Sequence, residues 1–151
     1  MSVAFRRDCD EEHLEPKFER PIPNGPNLVT AYGRTLIEDQ IGWLENQLIG
    51  LSEDDAKPIL RDLRYWKTRR ATAVETVAPV NGSVGFGSIV DIRLNGTSRT
   101  IHIVGDDEAN PKVDHIAFSS PLARALIGAE VGEAMPFHGR EDAIEIIAIR
   151  S

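Results

Sequence analysis

Ile101-His102-Ile103-Val104-Gly105-Asp106-Asp107-Glu108-Ala109, running on to Ile116-Ala117-Phe118-Ser119-Ser120-Pro121-Leu122-Ala123-Arg124-Ala125-Leu126-Ile127-Gly128, is the stretch around which the chain is organised. A period-2 apolar run, an acidic turn, a second short apolar run and then helical spacing read as strand, loop, strand and short capped helix. Ser119 or Ser120 can cap that helix, because a side-chain oxygen there accepts a backbone N–H that has no helical partner. Pro121 sits where its missing N–H costs nothing, and Gly128 supplies the stop.

Strand signals continue on both sides of this stretch. Val84 to Leu94 alternates as a strand with Gly85 and Gly87 as bulge sites, Asn95-Gly96 is a hairpin turn, and Thr97 to Val104 returns beside it. Met135 to His138 reads as a brief strand and Ala143 to Ile149 as a long isoleucine-rich one. The sum is a small antiparallel sheet with one short helix.

Upstream the apolar period changes. After Thr30, Ile37, Ile41, Leu44, Leu48 and Leu51 recur at alternating spacings of four and three, a heptad seam that predicts a helix from about Ala31 to Gly50. Ser52, followed three residues later by Asp55, restarts a helix, and Ile59, Leu63, Trp66, Arg70, Ala73 and Val77 form a second seam. Two such helices joined by a tight acidic turn should pack as an antiparallel coiled-coil hairpin, with Trp43 off the seam. Pro79 and Asn81-Gly82 end it. The expected organisation is an α+β chain: an irregular, proline-rich leader over 1–28, a hairpin over 29–78 and a sheet domain over 79–151.

The formal net charge of -7 argues against wholesale coating of nucleic acid or of an anionic membrane, because the global field repels phosphate. Cys9 is the single cysteine, which leaves no disulfide framework and fits a reducing, cytoplasmic setting. No apolar run approaches the roughly 20 residues that span a bilayer. Nothing resembles a phosphate loop, a zinc-protease helix or a nucleophile elbow, and His13, His102, His115 and His138 are scattered without metal-ligand spacing. No small-molecule substrate and no resident cofactor are expected.

Three charged clusters remain. Glu53, Asp54 and Asp55 crowd the hairpin tip, either as a finger that presents a divalent cation or as a solvated helix start favoured by the helix dipole. Arg61, Arg64, Lys67, Arg69 and Arg70 form a basic stripe on the second helix, either an RNA-facing surface or a face paired with Glu38, Asp39 or Glu45. Asp106, Asp107 and Glu108 are either a solvated turn or a docking surface for a basic partner.

Taken together, these residues resemble the Gre transcript-cleavage factors of bacterial RNA polymerase. Val104-Gly105-Asp106-Asp107-Glu108-Ala109 is similar to that family's Val-Gly-x-Asp-Glu-Ala loop, and Ser119 to Gly128 to its Ser-Pro-x-Ala-Arg-Ala-Leu-x-Gly segment; Thr30-Ala31-Tyr32-Gly33 with Leu36 resembles its helix start. The resemblance implies an FKBP-like C-terminal domain that docks at the rim of the polymerase secondary channel through Asp106, Asp107, Glu108, Ser119, Ser120 and Pro121. It also implies a coiled-coil finger whose tip acids help hold a catalytic Mg²⁺ shared with polymerase, so the chain is no enzyme itself. Gly50-Leu51-Ser52-Glu53-Asp54-Asp55-Ala56 departs from the family's Gly-Asp-Leu-x-Glu-Asn-Ala tip by lacking an acid between glycine and leucine. The finger is also shorter, and a deficit of about ten residues withdraws the tip by roughly 15 Å. A short finger on an intact globule resembles the Rnk-type relatives, which bind polymerase without cleavage. A peptidyl-prolyl isomerase is the rival from the FKBP-like fold, with only Phe86, Phe118 and Phe137 to line a pocket, and a plain coiled-coil interaction module is a third reading.

Overall fold

Thr30 starts the first long helix in the way its chemistry predicts: its hydroxyl oxygen accepts the backbone N–H of Gly33 at 3.0 Å. The computed structural model describes residues 19–151; Cys9, His13 and most of the expected leader lie outside them. Within it the chain runs β1 (Leu28–Val29), α1 (Ala31–Gln47), α2 (Glu53–Thr72), β2 (Val74–Glu75), β3 (Ile89–Leu94), β4 (Thr97–Val104), β5 (His115–Ala117), α3 (Pro121–Leu126), β6 (Ala134–Phe137) and β7 (Arg140–Arg150). Two single-turn 3₁₀ helices, Asp106–Glu108 and Pro111–Val113, lie between β4 and β5. The α+β class expected from the sequence is the one observed.

The described residues form two compact units, 19–24 with 37–71 and 25–36 with 72–151. In the first, Ile37, Ile41 and Leu44 of α1 are buried, as are Leu63, Tyr65, Trp66 and Arg69 of α2. The α1 seam is therefore the predicted one up to its last turn, where the helix ends at Gln47 and Leu51 is exposed. On α2 the seam departs at its basic position. Arg69, only 1% exposed, is the buried arginine, while Arg70 lies outside and pairs with Glu38 at 3.2 Å. Arg69 follows Tyr65 by one helical turn and stays on the stripe that Tyr65 widens. Ser52 caps α2 by accepting the Asp55 N–H at 3.1 Å.

The second helix stops five residues before Val77, which is 82% exposed. Its continuation is overridden by long-range pairing, for Val74 donates its N–H to the Asn27 carbonyl and Thr76 to that of Val29, making β1 and β2 a parallel pair. The expected boundary near residue 78 accordingly falls inside the second unit, which also takes in the first turn of α1.

That unit is built on a five-stranded sheet of order β5-β4-β3-β7-β6. The Asn95-Gly96 hairpin is present, both residues with positive φ as a tight two-residue hairpin turn requires. One correction concerns direction: β5 runs parallel to β4, so the sheet is mixed rather than antiparallel throughout. A second concerns β3, which begins only at Ile89. Gly87 has φ +84°, and Ser88 Oγ accepts the Gly85 N–H, so Val84 to Ser88 is a turn despite its alternation. The bulge lies instead where β7 slips against Asp91 and Ile92.

Val90, Ile92, Ile101, Ile103, Ile144 and Ile146 point to one face of the sheet and Leu126 of α3 packs among them. Each such fully buried aliphatic side chain contributes about 1.5–3 kcal/mol. Phe86 and Phe118 close the layer edge-to-face with ring centres 5.5 Å apart. Among the described residues no helix is long and apolar enough to cross a membrane.

Candidate functional site

The acidic turn and the serine-proline turn, separate in sequence, meet in space. β4 delivers Gly105 to a 3₁₀ turn and parallel β5 delivers Phe118 beside it, its N–H bonded to the Val104 carbonyl at 2.9 Å. Ser119 Oγ then donates to Asp106 Oδ1 at 2.6 Å, and Ser120 Oγ accepts the Ala123 N–H at 3.3 Å as the α3 cap. Pro121 occupies the first helical turn and is exposed, as is Ser119. Asp106 and Asp107 are half-buried on the same turn. The result is one acidic, hydroxyl-bearing face on a rigid corner of the sheet.

Glu108 does not belong to that face. It is 8% exposed and turned inward, where Oε2 accepts the N–H groups of Thr30 at 3.0 Å and Gly105 at 3.1 Å. Its Oε1 accepts the Thr30 hydroxyl. A cradle without side chains makes room: a Cβ at Gly33 would lie 2.3 Å from Glu108 Oε2, and one at Gly105 would lie 2.5 Å from the Leu28 carbonyl oxygen. The expectation of a docking role for Glu108 is corrected to a structural one, since its carboxylate is engaged by two backbone N–H groups and the Thr30 hydroxyl. The Thr-x-x-Gly helix start was the visible signal, but its partner lies far along the chain.

The tip acids Glu53, Asp54 and Asp55 are exposed in the first turn of α2, where negative charge complements the helix dipole. Successive residues point about 100° apart on a helix, so the three carboxylates diverge. Asp54 pairs with Lys57 at 3.5 Å, and among the described residues no group of three potential ligands converges. By themselves they do not fit a resident metal.

The basic stripe is largely balanced within the first unit. Lys67 lies 3.8 Å from Glu45, Arg70 pairs with Glu38, and Arg64 donates to both carboxylate oxygens of Glu19, its Nε at 2.8 Å. Hydrogen bonding from Arg64 holds the Glu19 carboxyl below its ordinary pKa, with desolvation opposing it and the charges of Arg64 and Arg61 adding to it. Arg69, buried, is withdrawn from any RNA-facing surface; Arg61 is half-buried and Arg64 and Lys67 are exposed.

On the outer face of the sheet, His102 and His115 are register partners on β4 and β5 with ring centres 4.5 Å apart. Burial lowers the His102 pKa, the neighbouring His115 and Arg150 add to the effect, and Asp114 opposes it.

Residues 79–151 match the family described as transcription elongation factor, GreA/GreB, C-terminal. Transcription elongation factor GreA of Legionella pneumophila is 51% identical over 59 residues, a match that spans 38% of this chain and 37% of the relative's length. GreA of Caulobacter vibrioides is 31% identical over 163 residues, covering 99% of this chain and 95% of its own. The crystal structure of GreA factor homolog 1 from Thermus thermophilus aligns over 84% of this chain and all of its own at 17% identity, with a TM-score of 0.39. With the acidic turn and the Ser-Pro helix start in place, and a relative aligned along nearly its whole length, the chain belongs to the GreA/GreB family of transcription elongation factors.

Proposed function

We propose that the chain is a non-enzymatic transcription elongation factor that binds RNA polymerase in the cytoplasm and modulates elongation or the rescue of backtracked complexes. The docking surface is the corner made by Asp106, Asp107, Ser119, Ser120 and Pro121. The observation that carries this reading is the Ser119–Asp106 hydrogen bond, which joins the two family motifs into one presented face. Carboxylates and hydroxyls held on a sheet corner suit a basic partner surface, where charge complementarity speeds encounter and fixes register.

The tip acids take the second role. Presented at the end of a hairpin and unable to close a site alone, they can act on a metal only when another molecule supplies the remaining ligands. The missing acid after Gly50 and the short helices, of 17 and 20 residues, favour a second reading in which the factor binds polymerase without stimulating RNA cleavage.

The deciding experiment adds the protein to a stalled, backtracked elongation complex with Mg²⁺. Binding that is lost in Asp106→Lys supports the docking face, and absence of binding by the parent protein overturns it. Shortening of the RNA selects a cleavage-stimulating factor; binding with intact RNA selects the second reading.

A further inference from the structure

His102 and His115 are remote in the chain, but the parallel pairing of β4 with β5 sets them side by side on the outer face of the sheet. Their ring centres are 4.5 Å apart and their planes 34° apart. Backbone bonds fix both residues. His102 donates its N–H to the Asp114 carbonyl at 2.9 Å, while His115 donates to the Asn110 carbonyl at 3.1 Å and accepts the Asn110 N–H at 2.7 Å. Both residues are half-buried, so water and ions still reach the rings.

Two imidazoles held in this way make a chelate for a borderline metal ion. An imidazole nitrogen binds Zn²⁺ at about 2.0–2.1 Å, so a tetrahedral ion needs its two ring nitrogens about 3.4 Å apart. Rings whose centres already lie 4.5 Å apart reach that separation by a small tilt. The charged neighbours come in pairs that offset each other: Asp91 holds Arg150 at 2.9 Å, and Arg99 holds the Asp114 carboxylate. Burial first, then His115 and Arg150, favour the uncharged form of His102 against the pull of Asp114, and the uncharged form is the one that ligates. We propose that His102 and His115 form a two-histidine site for a transition-metal ion of the Zn²⁺ class, its remaining positions filled by water or by a ligand from another molecule. Nitrogen ligation sets this site apart from the tip acids, whose carboxylate oxygens suit hard cations. Asp106 and Ser119, hydrogen-bonded to each other, each follow one of the two histidines by four residues. A bound ion therefore ties edge strand β5 to β4 at the base of that acidic corner.

The test titrates Zn²⁺ into the full, metal-free chain at about pH 7.5, where histidine is mostly uncharged, and follows the histidine ring nitrogens by ¹⁵N NMR. Affinity is read from the ring signals of His102 and His115 themselves, which separates the site from other ligands in the sequence, Cys9, His13 and His138. Both rings should shift together and saturate with a single ion, and Mg²⁺ at the same concentration should move neither. In His102→Asn the His115 ring, and in His115→Asn the His102 ring, should need about a hundredfold more Zn²⁺, because losing one arm of a chelate removes the intramolecular second bond. Absence of a shift, movement of one ring alone, an equal response to Mg²⁺, or unchanged affinity of the remaining ring in either variant overturns the proposal. The joint response of the two rings in the parent chain decides the matter even where a variant fails to fold. Polymerase is absent throughout, so the result is independent of the docking reading.

Discussion

The carboxylate of Glu108 accepts the backbone N–H of Thr30, 78 positions earlier in the chain, at 3.0 Å. One acid thereby satisfies donors at the start of a helix and at the end of a strand, and α1 begins where the acidic turn allows it to. Glu108→Ala leaves the N–H groups of Thr30 and Gly105 buried without their acceptor. A loss of about 2–4 kcal/mol in unfolding free energy, read by urea denaturation, is expected; a change below about 0.5 kcal/mol would show that water replaces the carboxylate.

Gly33 exists to admit that carboxylate. Gly33→Ala in the parent pushes a methyl group into Glu108 and should destabilise strongly. In the Glu108→Ala background the same change meets open space and should be nearly neutral or stabilising, as alanine is in a helix. A double-mutant cycle measures this coupling directly, and additive effects would contradict the contact.

Arg69 is a packing residue despite its charge. Arg69→Ala should lower stability by about 1–3 kcal/mol through lost stem packing and unsatisfied partners. Arg70→Ala, which breaks only the exposed pair with Glu38, should cost less than about 1 kcal/mol, and thermal melts of the two variants separate the buried arginine from the exposed one.

The lowered pKa of His102 makes stability depend on pH in a defined direction. Because the folded value lies below the unfolded one, of about 6.5, the unfolded chain binds more protons in the interval between them. The contribution is complete above the unfolded value and is lost as pH falls through the folded one. Urea midpoints should therefore decline as the solution is acidified from about pH 7, and His102→Asn should flatten that decline. A parallel decline in both proteins would place the titration elsewhere.

Ser120 holds the start of α3 by a single bond to Ala123. Ser120→Ala should cost about 1 kcal/mol of stability, whereas Ser119→Ala, which breaks only the exposed bond to Asp106, should cost less. Comparing the two in the polymerase-binding assay separates a defect of folding from a defect of the presented face.

The features legible in the sequence were those with local causes. Heptad spacing gave Ile37, Ile41 and Leu44 their burial, Asn95-Gly96 gave its hairpin, and Ser120-Pro121 gave a capped helix. The misread features had either a remote cause or a local one that the apolar pattern does not show. Nothing near Val77 announces that Val74 will pair with Leu28, so the second seam looked longer than it is. The alternation of Val84 to Ser88 resembles a strand, but the positive φ at Gly87 breaks the pleat before Ile89. Arg69 and Arg70 both flank the seam, and only the neighbouring Tyr65 decides which is covered. At the site, the acidic turn and the serines were visible, yet the inward direction of Glu108 depended on Thr30 and Gly33, a helix-start signal that does not name a partner 78 positions away.

The parallel pairing of Leu28–Val29 with Val74–Glu75 makes the hairpin an interruption in a domain whose two ends are already tied. Loop closure is completed by β1 and β2, so the length of what lies between them is free to drift. Adding or deleting one heptad in each helix alters reach by about 10 Å while every strand keeps its register. Finger length then becomes a dial that evolution or an engineer can turn without refolding the platform that carries it, and lineages of short and long factors can diverge by insertion alone.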